Sequence, residues 1–293
     1  MKKILVIKHG ALGDIVLAFP AMAAIRAHHG GAEITLLTTA PYEKFLAASP
    51  WFDRIAIDAR PKFWSFLGLA KLRRQLRGYD VVYDLQTSGR STRYFALAGR
   101  PAWSGIARSA AFPDSDPNRN TLHSRERLQG QLRAAGIWRL PQPDLAWLTK
   151  ADVSRFNLPE EFFLLVPGAA AHRPEKRWPV ENFAALAKSL PKPAVIIGGA
   201  GEVATNIPGL DLTGRTTLLE LATIIARSSL AIGNDTGPTH LAAALGVKTI
   251  VLFSAASDPA LTAPRYPDGA WPTILSAPAL SDLTVAQVLG SLP

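Results

Sequence analysis

The sequence contains no cysteine, and this absence excludes disulfide-stabilised folds, zinc–thiolate sites and catalysis by a thiol nucleophile. It also has no apolar run of about 18 residues, so it predicts no transmembrane helix. The basic amino terminus is followed only by the apolar stretch 4–7, which is too short for the core of a signal peptide. Charged residues make up only 19% of the chain, too few for a disordered polycation. These absences predict a folded, soluble, cytoplasmic protein.

Acidic residues are scarce in one half of the chain only. Residues 1–150 hold 22 Lys and Arg against 11 Asp and Glu, whereas residues 151–293 hold 10 against 12. The formal charge of +9 therefore comes from the first half. This asymmetry indicates that the first half meets nucleic acid, an acidic membrane or a phosphorylated substrate. A basic, solvated face without a partner is the alternative.

Several familiar motifs are missing as well. The loop His9–Asp14 lacks the third glycine of a GxGxxG dinucleotide fingerprint, and no GxxxxGK[ST] phosphate loop or GxSxG nucleophile elbow occurs. Asp114 and Asp116 form a DxD string of the kind that holds a metal in some sugar transferases. They lie in a loop rich in Pro and Asn instead of following a buried strand, so we expect no metal there.

Short β-branched runs alternate with apolar residues at helical spacing along the whole chain, which is typical of parallel sheets covered by helices on both faces. Strands are predicted at Ile4–Ile7, Ile34–Thr38, Ile55–Asp58, Val81–Leu85, Phe162–Val166, Val195–Ile197, Leu230–Ile232 and Thr249–Phe253. Helices are predicted at Ile15–His28, Leu67–Arg77, Glu181–Leu190, Leu218–Arg227 and Thr239–Leu245.

The fold class expected from this rhythm is α/β, with two doubly wound Rossmann-like domains at 1–150 and 151–293. The break falls near 140–154, where Pro141 and Pro143 give the chain the chemistry of a linker. Two such domains facing each other would form a cleft, and ligands are expected beyond the carboxyl ends of the strands.

Two loops after predicted strands carry carboxylates at helix starts. Asp14 is either a general base or an N-terminal cap worth about 1 kcal/mol. Asp235 and Thr236 are followed by Gly237 and Pro238, so the N–H groups at 236–239 could bind a diphosphate, with the helix dipole behind them. The alternative is that Asp235 and Thr236 only cap the helix.

Two further loops of the second half each carry one charged residue that could contact a nucleotide. Lys176 follows the strand at 162–166 and could contact a phosphate as a mobile point charge. Glu202 follows the strand at 195–197 and could accept hydrogen bonds from ribose hydroxyls. The alternatives are a solvated lysine and a carboxylate that favours the first turn of a helix.

The segment 63–77 leads from aromatic residues into a basic amphipathic stretch. Its composition is typical of a helix at a membrane interface, and its apolar spacing is equally typical of a helix packed on a core. Nearby, Arg90, Arg93 and Arg119 could contact an anionic acceptor.

Taken together, these motifs resemble the lipopolysaccharide heptosyltransferases, the ADP-heptose transferases of glycosyltransferase family 9. The resemblance runs from about residue 3 to residue 259 and is carried by segments in the same order. The most specific is Asp235-Thr236-Gly237 through His240-Leu241-Ala242-Ala243-Ala244-Leu245-Gly246. The supporting ones are Gly13-Asp14, Tyr79-Asp80, Asp84-Leu85-Gln86, Pro167-Gly168, Lys176-Arg177-Trp178-Pro179 and Leu212-Thr213-Gly214.

The resemblance implies the GT-B architecture, with an N-terminal acceptor domain and a C-terminal nucleotide-sugar domain. In this architecture the last helix of the chain can pack back on the N-terminal domain. It implies a metal-independent, inverting transfer of heptose from ADP-heptose, with no cofactor, to the acidic inner core of lipopolysaccharide. By position, Asp14 resembles the catalytic base. The implied donor contacts are Gly168, Lys176, Glu202, Asp235, Thr236, Gly237 and His240, and the implied acceptor contacts are Lys8, Gly13, Arg90, Arg93 and Arg119. One departure is Ala169–His172, where the family often has hydroxyl residues.

The partners expected on this interpretation are a nucleotide-sugar and a phosphorylated or acidic glycolipid, with peripheral contact at the cytoplasmic face of the inner membrane and no nucleic acid. The main alternative is a related transferase that uses another nucleotide-sugar, or that modifies another glycan or a protein. A nucleic-acid-binding module and a catalytically inactive glycan binder are further alternatives. A nucleic-acid-binding module would leave Asp14 and the loop at Asp235 unexplained.

Overall fold

A computed structural model describes residues 1–62, 64–170, 172–201 and 206–293. The chain divides into two compact units, Met1–Pro143 and Asp144–Pro293. Within the described residues, each unit is built on a sheet of six strands, and the strands pair in parallel throughout. Both units therefore belong to the α/β class that the sequence predicts.

The first unit has the strand order β3-β2-β1-β4-β5-β6. Its strands are β1 Lys3–Ile7, β2 Glu33–Thr38, β3 Arg54–Ile57, β4 Val81–Asp84, β5 Ala102–Gly105 and β6 Phe112–Pro113. Its helices are α1 Leu12–Leu17, α2 Phe19–His28, α3 Glu43–Ala47, α4 Phe66–Leu76, α5 Gly89–Leu97 and α6 Ser124–Ala134. The strand order reverses direction between β1 and β4, and this is the switch point of a Rossmann-like sheet.

The second unit has the order β12-β11-β10-β7-β8-β9, which is the same winding. Its strands are β7 Phe163–Val166, β8 Ala194–Ile196, β9 Leu210–Asp211, β10 Leu230–Asn234, β11 Thr249–Ser254 and β12 Thr273–Ala277. Its helices are α7 Val180–Ser189, α8 Leu218–Arg227, α9 Gly237–Ala244, α10 Pro259–Thr262 and α11 Val285–Leu289. The switch point lies between β7 and β10. The last helix, α11, packs on α7 of its own unit.

All eight predicted strands are present, but the long helix predicted at Ile15–His28 is wrong. The structure has two helices there, with Ala18 between α1 and α2. Pro20 is the second residue of α2 and cannot donate a hydrogen bond to the carbonyl of Val16. The proline therefore ends one helix and begins another.

Each unit has its own apolar core. In the first, Leu5, Ile7 and Val82 of the sheet pack with the fully buried Trp103. In the second, Leu165, Ile232 and Ile250 pack with Trp178 and Phe183. Among the described residues, no helix has the length and apolarity needed to span a membrane.

Candidate active site

Asp14 lies in the first turn of α1, just after β1. It is the third residue of the helix, and the position before the helix is occupied by Ala11. The Ala11 N–H donates a hydrogen bond to Asp14 Oδ2 at 3.2 Å. Asp14 is therefore not the N-terminal cap, although it does bind an N–H group at the helix start. Its side chain is exposed and available to a ligand.

A cavity of about 190 Å³ lies next to Asp14, at the switch point where β1 and β4 run side by side. Its polar lining includes Lys8 after β1, Gln86 after β4, and Arg119 and Arg127 from the segments that follow β6. Of the predicted acceptor contacts, the structure thus brings Lys8 and Arg119 together with Asp14. Gly13 is the neighbour of Asp14 in α1.

Arg119 is held in place by two side chains. Its Nε pairs with Asp114 Oδ2 at 2.5 Å, and its Nη2 donates to Thr87 Oγ1 at 2.7 Å. Asp116, the other acid of the DxD string, accepts the N–H of Asn118 at 2.8 Å. Both aspartates therefore hold the loop that presents Arg119, which explains the DxD string.

The sequence reasoning missed Arg127, which lines the cavity from α6. Its side chain donates to Ser124 Oγ at 2.8 Å. Burial and the nearby Arg119 lower the pKa of Arg127 from its usual value, while Asp14 and Asp114 act in the opposite direction. A cation held beside another cation favours an anionic ligand in this cavity. Arg127 had no motif to mark it, since it is one of several charges on a polar helix.

Two buried ionisable groups lie at the carboxyl ends of β1 and β4, the two strands at the switch point. Burial lowers the pKa of Lys8, whose Nζ donates to the carbonyl of Leu85 at 3.2 Å. Burial also raises the pKa of Asp84, at the end of β4, to about 6. The N–H groups of Gln86 and Thr87 donate to Asp84 Oδ1 at 3.1 and 3.0 Å and only partly offset that effect. Asp84 thus fixes the turn after β4 that presents Gln86 and Thr87 to the cavity.

Arg90 and Arg93, the other predicted acceptor contacts, do not line the cavity beside Asp14. They lie on α5 and line a separate groove of about 560 Å³ between α4 and α5. Arg90 Nη1 donates to the carbonyl of Pro61 at 3.3 Å, and Tyr94 forms part of the groove floor. The first unit therefore presents two basic depressions.

The second unit repeats the arrangement at its own switch point, between β7 and β10. The buried Asn234 ends β10, and its Nδ2 donates to the carbonyl of Pro167 at 2.7 Å while its Oδ1 accepts the N–H of Trp178 at 3.0 Å. Before it, Gly233 leaves no room for a side chain, because a Cβ there would lie 2.4 Å from the Cβ of Val166. The loop after β7, which contains Gly168, is thus tied to the end of β10.

Asp235 is the centre of a polar cluster beside this loop. Its Oδ2 accepts from Lys176 Nζ at 2.6 Å and from Ser257 Oγ at 2.9 Å, and its Oδ1 lies 3.1 Å from His240 Nε2. Burial opposes the charge on Asp235, but His240 and Lys176 outweigh it and lower the pKa of this carboxyl to about 2. Ser257 was not predicted, because no motif marks it in the sequence.

The interpretation of Asp235 and Thr236 as simple caps is wrong for Asp235, whose carboxylate binds side chains instead of the N–H groups of α9. Thr236 precedes α9, and its hydroxyl donates to the carbonyl of Asn234 at 3.4 Å. Gly237 begins the helix, and helix starts leave N–H groups without partners inside the helix. Glu202 lies outside the described residues.

Comparisons with known proteins identify the family. The model of glycosyltransferase family 9 (heptosyltransferase) matches residues 69–271. The lipopolysaccharide core heptosyltransferase OpsX of Haemophilus influenzae is 22% identical over an alignment 288 residues long, and the alignment covers 90% of this chain and 82% of OpsX. The structure is similar to a family 9 glycosyl transferase from Veillonella parvula, with a TM-score of 0.81, 22% identity and coverage of 99% of this chain and 95% of the other.

A second solved structure has the same fold, the ADP-heptose lps heptosyltransferase II of E. coli. Its TM-score is 0.77 at 23% identity, and 99% of this chain and 97% of the other are covered. Solved structures at this identity establish the fold, and the family model that spans most of the chain establishes the relationship. The chain belongs to glycosyltransferase family 9 and is a glycosyltransferase.

Proposed function

We propose that this enzyme transfers heptose from ADP-heptose to an acidic acceptor of the lipopolysaccharide inner core, with inversion at the anomeric carbon. The observation that carries the proposal is the pairing of two unlike switch-point sites in one chain. One has an exposed carboxylate beside a cavity lined by cations, and the other has a lysine and a helix start beside a buried acid. The substrates named for OpsX and the E. coli enzyme support the choice of sugar and acceptor.

Asp14 is the general base of the proposed reaction. It accepts the proton of an acceptor hydroxyl as the oxygen forms a bond to the anomeric carbon. The bond between that carbon and the phosphate oxygen breaks on the opposite face, and its electron pair leaves with ADP. Exposure suits Asp14 to this role, because an acceptor hydroxyl in the cavity can reach the carboxylate.

The second unit stabilises the departing diphosphate. Lys176 supplies a positive charge, and the start of α9 at Thr236 and Gly237 supplies N–H groups and the positive end of the helix dipole. Such groups stabilise a leaving anion by several kcal/mol when they are already in position. Asp235 and His240 hold Lys176 in that position. Gly168 and Glu202 complete the proposed donor contacts, with Glu202 at the ribose.

Cations of the first unit recognise the acceptor. Lys8 and Arg119 lie beside Asp14 and would bind carboxylates or phosphates close to the reacting hydroxyl, with Gly13 presenting the backbone of α1. Arg90 and Arg93 lie in the second depression and would bind anionic groups farther from that hydroxyl.

The proposal assigns charge neutralisation to Lys176 and α9 and needs neither a metal nor a cofactor. In the described part of the chain, no group of three or more His, Asp or Glu side chains is arranged to hold a metal ion. Turnover is therefore expected to be unchanged after treatment with EDTA. A loss of turnover that Mg²⁺ or Mn²⁺ restores would contradict metal independence.

Calorimetry with a panel of nucleotide-sugars tests the donor. We expect ADP-heptose to bind at least about tenfold more tightly than UDP- or GDP-sugars, because the chain is expected to select both base and sugar. Transfer to isolated inner-core oligosaccharide then tests the acceptor. Binding of another nucleotide-sugar in preference to ADP-heptose would favour the alternative, a related transferase with a different donor.

A further inference from the structure

Helix α4 of the first unit has one face in the core and one face in solvent. Leu72 and Leu76 are buried in the first-unit core. The opposite face is exposed and carries apolar residues at the amino-terminal end of the helix and cations along the rest. The two alternatives for the segment 63–77, core packing and an interface helix, therefore apply to different faces of the same helix.

The apolar end of this face is unusually exposed. Phe66 is 84% exposed and Leu67 is 88% exposed, and Trp64, just before the helix, is 58% exposed. Large apolar side chains scattered singly on a surface are ordinary, but neighbouring ones in an otherwise polar setting mark an interaction site. Ser65 caps the helix by accepting the N–H of Gly68, so Phe66 and Leu67 are presented from an ordered first turn.

The surroundings of these apolar residues are strongly basic. Residues 59–79 contain no Asp or Glu, and neither do residues 85–113, which include the neighbouring helix α5. The exposed face of α4 itself carries Lys71, Arg73 and Arg74, with Arg77 just after the helix. A helical period of 3.6 residues places Lys71, Arg73 and Arg74 on the same side as Phe66 and Leu67. Arg77 follows the helix in extended backbone and is also exposed. We call this face, formed by 66, 67, 71, 73, 74 and 77, the α4 patch.

We propose that the α4 patch docks this protein on the surface of an anionic phospholipid bilayer. Phe66 and Leu67 insert between the headgroups, and the lysine and arginines contact lipid phosphates with their charges while their aliphatic stems lie on apolar surface. This combination of apolar tips and a basic band is the chemistry that binds an interfacial helix to anionic lipid.

Charge complementarity favours a bilayer over the other candidate occupants. A second copy of the chain would bring the same cations face to face, which is repulsive. A nucleic acid would satisfy the cations but would leave Phe66 and Leu67 exposed to water. A bilayer accommodates both parts of the patch. The inference goes beyond the proposed transfer reaction, because docking requires neither donor nor acceptor.

Flotation of the full chain with lipid vesicles tests the inference. We expect binding to phosphatidylcholine vesicles that contain about one third phosphatidylglycerol, and at least about tenfold weaker binding to phosphatidylcholine alone. The double variant Phe66→Ser/Leu67→Ser is expected to lose about tenfold or more of the binding to anionic vesicles. The matched control is Trp138→Ser, since Trp138 is 70% exposed but lies outside the patch, and this variant is expected to bind like the wild type.

The charges are tested separately. Arg73→Glu/Arg74→Glu is expected to abolish the preference for anionic vesicles. The control, Arg133→Glu/Arg139→Glu, changes the net charge by the same amount at exposed positions outside the patch, and it is expected to retain most of that preference. All these positions are exposed, so circular dichroism and thermal melting should match the wild type. Equal flotation of the wild type and the Phe66/Leu67 variant would overturn the inference. Self-association or nucleic-acid binding that the same variant removes, without vesicle binding by the wild type, would also overturn it.

Discussion

Each unit carries an aspartate just after a strand that borders its switch point, but the two aspartates lie in opposite environments. Asp14 is exposed and accepts a backbone N–H at 3.2 Å. Asp235 is 8% exposed and is bound by a lysine, a histidine and a serine. The histidine and the lysine lower the pKa of its carboxyl to about 2 against the effect of burial. A carboxylate that is to act as a base must be accessible to its substrate, as Asp14 is, whereas one that positions other side chains can be buried among them, as Asp235 is.

A third aspartate shows that burial alone does not decide the pKa of a carboxyl group. Asp84 is completely buried, as Asp235 nearly is, yet burial raises the pKa of Asp84 to about 6. Asp84 is bound by the N–H groups of Gln86 and Thr87 and by the side chain of Ser91, which are all uncharged. Asp235 instead has a lysine and a histidine within hydrogen-bond distance. A contacting cation therefore makes the difference between a buried acid that is neutral at mild pH and one that stays charged.

The largest effect is expected for Asp14→Asn. Removal of a general base should lower kcat by about 10²- to 10⁴-fold while the affinity for ADP stays within about twofold, because Asp14 belongs to the unit that does not contain the proposed donor loop. Steady-state kinetics and calorimetry measure the two quantities. Glu43→Gln, another exposed acid of the first unit, is the matched control and should retain wild-type turnover. Turnover near the wild-type value in Asp14→Asn would remove Asp14 from the mechanism.

The second largest effect is expected for Asp84→Asn, which should raise the free energy of unfolding at neutral pH. The folded protein binds a proton at Asp84 more tightly than the unfolded chain does, so ionisation of Asp84 destabilises the folded state as pH rises from about 4 to about 6. Asp84→Asn should therefore be more stable than the wild type by up to about 2–3 kcal/mol above pH 6, and the difference should vanish near pH 4. Urea unfolding at both pH values measures it. A constant difference across this range would mean that Asp84 is charged in the folded state.

A smaller effect is expected for Lys176→Ala, which should weaken ADP binding by about 1–3 kcal/mol because a charged contact to the diphosphate is lost. Lys188→Ala, an exposed lysine of α7, is the control and should bind ADP normally. The double variant Lys176→Ala/Asp235→Asn separates two roles of the lysine. If Lys176 only neutralises Asp235, ADP affinity returns in the double variant. If Lys176 contacts the diphosphate, affinity stays low.

The strands that could be predicted are the ones with continuous apolar runs. β1, β7 and β11 are buried along most or all of their length and stand out as runs of Ile, Leu and Val. The four strands that were missed give weak signals. β6 and β9 have two residues each, β5 consists of Ala, Trp, Ser and Gly, and β12 lies at the edge of its sheet. These strands exist because the sheet next to them supplies pairing partners, which no local pattern reveals.

The candidate sites show the same limit. Asp14, Lys176 and Asp235 follow predicted strands, so their positions at the ends of the strands could be predicted from the order of the elements. Arg127 and Ser257 could not, because each reaches its site from a distant segment through tertiary packing. The sequence also did not predict that the three arginines expected to contact the acceptor lie in two separate depressions. Arg119 is close to Asp14, but Arg90 and Arg93 lie in another groove, and sequence spacing contains no information about which face of a helix meets which loop.

The missing side chain at Gly233 has a consequence for engineering this protein. Because β7 and β10 touch at this point, even one added methyl group would have to push the strands apart or tilt them. Such a tilt would move Asn234, and with it both ends of the loop that Asn234 ties down. Attempts to change nucleotide preference should therefore vary the tips of the loops and leave the contact between Gly233 and Val166 unchanged.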